Sequence, residues 1–379
     1  MKDQNSPYIK GTVFPALTGL RAIAAYLVFL HHFPISTDLI GNTLRRITLE
    51  FHCGVTVFFV LSGFLISFRY SNKARPSTRW FLRYMWDRFT RIYPMFFVVV
   101  VGTVLFQKIT DPLTWIANLT FTASFLNPSE FVLPHLWSLA VEECFYLAAP
   151  LIFFSISPNR PLTIWRPMLA VLLCGAALLW IGLHFPNSGF FSKVNVFLLR
   201  TFFGHSFEFF CGIFLGRLLL ERPHLLAVES RKSAYYTYGG MAGAAFTIVG
   251  MTLLQAMPHG IGLWHPSGFL FNNLVLPVFT SFLIFGLITE RTRVSRILST
   301  KVFDQLGKSS YCFYLIHIGV LSGVIIPDND LKKLGLFLVT LSLSLLAFHF
   351  FENPLRTKLR ALGARKPEEV EESDLRTAA

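Results

Sequence analysis

Ten apolar runs, most of them near the length of a bilayer-crossing helix, recur along this chain and set the terms of its fold. A spanning helix needs about 20 consecutive, mostly apolar residues. The runs fall near 14–33, 51–70, 93–110, 139–157, 166–185, 196–220, 235–257, 269–289, 311–327 and 333–352. Only 15% of the 379 residues are charged, against about 25% in soluble domains. The net charge of +13 raises the question of nucleic acid, but the basic residues sort by side. With a cytoplasmic N-terminus, 25 of them fall in cytoplasmic segments and five in outer loops, as the positive-inside rule requires. The expected fold is an all-α integral membrane protein of about ten transmembrane helices. Both termini are cytoplasmic, the lipid bilayer is its first partner, and no nucleic acid is involved. A further apolar piece at 112–127 is too short to span and reads as a re-entrant or interfacial segment.

The first run ends in His31-His32-Phe33-Pro34, where a signal peptide would carry small residues, so it reads as an uncleaved span. The five cysteines sit in apolar runs without a Cys-x-x-Cys pair, which suits free thiols and not a metal site. The chain divides into a membrane domain, 1–360, and a polar, disordered cytoplasmic tail, 361–379.

Ionisable residues inside apolar runs are costly and face a protein interior or a water-filled cavity. Arg21 and His32 stand eleven positions apart, three helical turns plus about 20°, so they share a face with roughly 16 Å between them. Snorkelling would account for Arg21 alone and interfacial hydrogen bonding for His32 alone; a common face favours one site. His31 points about 100° away and is the bystander. Arg88 and Arg91, at i and i+3, are neighbours on one helical face. They read either as a clamp for a phosphorylated ligand or as ordinary cytoplasmic anchors. Ser62-Gly63 suits close helix packing. Glu142 and Glu143 are adjacent carboxylates in an apolar helix, where one can orient a histidine in a dyad or pair with Arg21 or Arg200. Arg200, His205 and Glu208 are spaced like one helical face. His317 and Glu352 read as structural, and the last span should stop before Pro354.

Together these stretches resemble the acyltransferase 3 family of integral-membrane acyltransferases, which O-acylate sugars and cell-surface glycans. Arg21 and His32 resemble its R-x10-H, Ser62-Gly63-Phe64-Leu65 its S-G-F-L, and Arg88 with Arg91 before Ile92-Tyr93-Pro94 its R-x-x-R. Trp137-Ser138-Leu139, Val141-Glu142-Glu143 and Phe145-Tyr146 resemble its W-S-L-x-V-E-E-x-F-Y block. Ser310-Tyr311, Tyr314-Leu315 and His317, then Glu352 and Pro354, resemble its C-terminal signatures. Cys144 departs from the family's usual Gln. The resemblance implies an acyl-CoA donor, usually acetyl-CoA, bound from the cytoplasm, and a carbohydrate acceptor. It implies His32 as the base or acyl-handling residue, Glu142 as its support, and Arg21, Arg88 and Arg91 as the donor's holders. Ser62, Glu143 and His317 would support substrate or structure, with no metal. Many members carry an extracytoplasmic SGNH-type domain. This chain reads as a stand-alone membrane domain, so an outer-face step would need a separate extracytoplasmic transferase. The implied location is the plasma membrane, as a bacterial inner-membrane protein. The rival readings are a secondary transporter of a small polar or anionic solute and a non-catalytic scaffold or sensor. No internal repeat supports the first, and the second has no need of the Arg21–His32 face and Glu142 together.

Overall fold

The computed structural model describes residues 14–35, 41–74, 77–123, 131–156, 161–185, 193–226, 234–255 and 260–364. The end of the expected 112–127 segment, Lys2, Lys10 and the tail from residue 365 lie outside them. All regular structure among the described residues is helical: α1 Pro15–His32, α2 Gly41–Leu49, α3 Cys53–Tyr70, α4 Thr78–Phe106, α5 Pro112–Leu119, α6 Trp137–Ser155, α7 Trp165–His184, α8 Val194–Arg200, α9 Ser206–Glu221, α10 Tyr235–Leu253, α11 Pro266–Leu270, α12 Leu276–Thr289, α13 Arg293–Leu298, α14 Lys301–Ile316, α15 Val320–Ile325, α16 Asp330–Ala347 and α17 Asn353–Ala364. Among them, six continuous helical stretches are long and apolar enough to cross a membrane: Asn42–Tyr70, Thr78–Phe106, Pro134–Ser155, Trp165–His184, Pro266–Thr289 and Asp330–Gly363. The chain is a multi-pass membrane protein.

Four of the expected elements take a different form. The run expected over 93–110 belongs to a 29-residue helix beginning at Thr78, so Arg88 and Arg91 lie within it. The run 196–220 is not one helix but two, α8 and α9, broken over 201–205. Within that break Thr201 Oγ1 accepts from the Gly204 amide and donates to the Phe197 carbonyl, which satisfies backbone groups that lipid could not. The run 311–327 breaks between α14 and α15. The helix does not stop before Pro354: a π-helical turn, Phe348–Glu352, leads directly into α17. Pro354 therefore sits inside a continuous helical stretch, just after the wider π turn that interrupts the regular α-helical hydrogen bonding.

Helices α1, α3, α9 and α14 approach closely at the centre. A Cβ added to Gly63 would collide with the Phe209 backbone of α9, and one on Gly307 with the Thr18 backbone of α1. Glycine at such crossings lets backbones meet, the usual basis of helix association in lipid. Outward faces are apolar, with Leu172, Leu173 and Trp180 on α7 and Leu338 and Leu346 on α16 all exposed. Replacing Gly63 with Leu is expected to overpack the α3–α9 crossing and cost about 1–3 kcal/mol. Thermal unfolding of the purified protein in detergent would register this as a lower midpoint.

Candidate active site

Helices α1, α3, α4, α6 and α14 enclose a cavity of about 110 Å³. Arg21 from α1, Ser62 from α3, Arg88 and Arg91 from α4, and Glu142 and Tyr146 from α6 all line it. The structure thus brings six residues of four helices to one place, and among them are Arg21, Arg88 and Arg91, three of the four arginines singled out in the sequence. Arg88 is only 7% exposed. It donates to the Tyr70 hydroxyl at 3.0 Å and lies against the Tyr70 and Tyr146 rings at 5.3 and 5.7 Å. Its Nε is buried without a partner among the described residues. Arg91 pairs with Glu352 at 2.9 Å, and Glu352 also accepts from Cys312 Sγ. Glu352 therefore orients an arginine of the cavity, more than the helix-ending role its position suggests.

Glu142 does not touch His32. Its Oε1 accepts from the Ser62 hydroxyl and the Tyr146 hydroxyl, and it forms no ion pair with Arg21 or Arg200 among the described residues. Ser62 is therefore a hydrogen-bond donor to the carboxylate as well as a neighbour of a packing glycine. Glu143 has a buried Oε1 without a partner and does not line the cavity. Arg200 is exposed on α8. His205 and Glu208 pair with each other at 3.0 Å in a separate buried knot with Thr56, Asn272 and Asn273. The helix break at 201–205 is why Arg200 does not share their face.

Ser138 and Tyr314 also line the cavity; their hydroxyls are 2.5 Å apart, and both reach the His135 carbonyl. Beside them lies a layer of histidines. The His317 ring is 5.1 Å from that of His32 and 4.8 Å from that of His135. The His135 ring is 5.2 Å from Tyr314.

Hydrogen bonds decide the tautomers in this layer. His317 Nδ1 is 2.6 Å from the Tyr314 carbonyl, which can only accept, so Nδ1 carries the proton and Nε2 a lone pair. His32 Nδ1 is 2.9 Å from the Val28 carbonyl and 3.3 Å from His317 Nε2. The same reasoning puts a proton on His32 Nδ1, shared between both acceptors, and leaves Nε2 as a free base. Thus His317 holds His32, in the place where the sequence pointed to Glu142. The residues Tyr311, Tyr314 and His317 recur every three positions on α14 and its end, a one-face spacing that could have flagged His317. The His31 ring also lies beside that of His32, their centroids 4.8 Å apart, but its Nδ1 turns to the Leu49 carbonyl at 2.6 Å. His135, at the entrance to α6, went unnoticed because nothing local distinguishes it. Among the described residues no group of three or more His, Cys, Asp or Glu is placed to hold a metal ion.

Comparison with known proteins identifies relatives of the chain. Residues 14–351 match a family described as an acyltransferase domain. A candidate O-acetyltransferase of Staphylococcus aureus is 27% identical over 94% of this chain and 60% of its own length. The acyltransferase MdmB of Streptomyces mycarofaciens is 24% identical over 81% of this chain and 79% of its own. The peptidoglycan O-acetyltransferase OatA of Listeria monocytogenes is 25% identical over 90% and 56%. The chain thus spans about 60% of the length of the staphylococcal relative. No solved structure matches it. With a match that begins at Phe14 and runs to Phe351, taking in the arginine cavity and the histidine layer but for Glu352, the chain belongs to the acyltransferase 3 family.

Proposed function

We propose that this protein transfers an acyl group, most simply acetyl, from cytoplasmic acyl-CoA to a hydroxyl of a carbohydrate acceptor. The observation that carries the reading is one continuous arrangement. Three guanidiniums line a cavity together with Ser138 and Tyr314, and Tyr314 packs on His317, which holds a histidine with a free ring nitrogen. Arginine suits the donor's phosphates because its planar fork matches their oxygens, and the unpartnered Arg88 Nε offers one such donor. A cavity of about 110 Å³ admits the thioester end of the donor; the nucleotide stays at the arginine end. The 25-to-5 distribution of basic residues supports ten crossings with the arginine end cytoplasmic, and a bacterial inner membrane is the setting this orientation fits.

In the reaction His32 Nε2 removes the proton of the acceptor hydroxyl while its oxygen attacks the thioester carbonyl. The carbon–sulfur bond breaks, and the departing CoA sulfur takes the proton from His32. His317 holds the imidazole in the required tautomer throughout. Glu142, fixed by Ser62 and Tyr146, balances the arginines and keeps the cavity polar.

Membranes from cells with and without the protein test the reading, supplied with acetyl-CoA labelled in the acetyl group. Label should appear as an alkali-labile ester on surface polysaccharide only when the protein is present. A transporter would instead move a solute without making an ester, and label confined to unreacted donor would overturn the assignment.

A further inference from the structure

On the far side of the histidine layer from the arginines lies a second, open cavity of about 670 Å³. It is formed where the end of α4 and α5 meet segment 131–134 and the α14–α15 break. Its polar lining comes from Gln107, Thr114 and Ser322, its apolar lining from Phe131, Val132 and Ile318, and none of its lining residues is charged. Gly319 makes the shape available. Its φ of +117° is a left-handed conformation, and a Cβ there would strike the Leu133 side chain.

The groove adjoins the histidine layer along the chain. Pro134 and Ile318 line it, and the residues next to them in the chain are His135 and His317. His135 is 2% exposed, and apart from a loose approach to the Leu315 backbone neither of its ring nitrogens makes a well-formed hydrogen bond among the described residues. Buried polar groups are rarely left so, and a hydroxyl arriving from the groove would supply the missing partner.

We infer that this groove is the acceptor site, and that it takes a neutral, polyhydroxylated ring such as a sugar residue of a glycan, with His135 receiving one of its hydroxyls. The inference rests on the acyl-transfer reading above and extends it to the acceptor. Neutral amide and hydroxyl groups suit sugar hydroxyls, and the apolar wall suits the C–H face of the ring. The contrast between the two cavities then sorts the substrates: the anionic donor to the arginine side, the uncharged acceptor to this one. His135 is a positioning residue, since His32 keeps the free nitrogen that performs the proton transfer.

Gly323 provides the test, because it lines the groove and a Cβ there meets only Phe106 Cε1, at an ordinary 3.7 Å, so the backbone leaves room for a side chain at this position. Gly335, with nothing within 4 Å of a Cβ, is the control for bulk elsewhere. Membranes carrying matched amounts of wild type, Gly323→Trp and Gly335→Trp are given labelled acetyl-CoA and the cells' own surface polysaccharide. Saturable donor binding and ester formation are measured separately. Gly323→Trp should lose at least tenfold in ester formation with donor binding within twofold of wild type, and Gly335→Trp should change neither. Ester formation by Gly323→Trp within twofold of wild type would overturn the groove. Donor binding by wild type without any polysaccharide ester would overturn the sugar as occupant. Absence of donor binding in wild type would instead sink the acyl-transfer reading itself. In His135→Phe, the concentration of polysaccharide needed for half-maximal rate should rise while that of acetyl-CoA stays put; equal rises in both would reduce His135 to a packing residue.

Discussion

In His32→Ala, acyl transfer should fall by roughly 10²- to 10⁴-fold, the range a positioned general base contributes, while acetyl-CoA binding stays within about twofold. The separation follows from geometry: His32 does not line the arginine cavity. Losing it removes the base without touching the guanidiniums. The measurement is the rate of ester formation at saturating labelled donor, in membranes with matched protein levels. Full activity in His32→Ala would end the mechanism, whatever the family. His317 gives the same argument a second reading. Its Nε2 accepts from His32 Nδ1, so His317→Gln, whose side-chain carbonyl can accept in its place, should retain more activity than His317→Leu. A packing role alone would rank these two the other way, because the apolar side chain suits the buried position better.

Much of this site was legible in the sequence because it is written in local spacing. Arg21 with His32, and Arg88 with Arg91, fall on shared helical faces, and a charge in an apolar run must find company inside the bundle. The partners were not legible. Residues Ser62 and Glu142 are 80 positions apart, Arg91 and Glu352 are 261, and His317 and His32 are 285. No period or motif spacing carries such pairings, which arise only when helices pack. Local chemistry also misleads where tertiary context compensates for it. Pro354 reads as a stop, yet the wider π turn before it carries the helix onward. The run 196–220 reads as one span, yet it breaks where Thr201 and Asn273 take up the loosened backbone. Glu142 was the natural partner for a histidine by type. It lines the arginine cavity with Ser62 and Tyr146, and another histidine, His317, holds His32 instead.

Replacing Arg88 with Gln should weaken acetyl-CoA binding by about 10- to 100-fold, the worth of roughly 1.5–3 kcal/mol for a hydrogen bond to a charged group, and leave the rate from bound donor nearly intact. This follows because Arg88 has no ion pair among the described residues. Its protein contacts are the Tyr70 hydroxyl and two aromatic faces, so Gln leaves no carboxylate stranded. Arg91 differs. Its partner Glu352 is only 2% exposed, and a buried charge deprived of its counter-ion costs about 3–5 kcal/mol. Arg91→Gln should therefore lower the unfolding midpoint as well as donor affinity. Adding Glu352→Gln removes the stranded carboxylate and should restore most of the stability but not the binding. Isothermal donor binding and thermal unfolding, measured on the single and double variants, separate the two contributions. If the double variant recovers donor affinity along with stability, Arg91 holds the fold and not the donor, and the clamp reduces to Arg21 and Arg88.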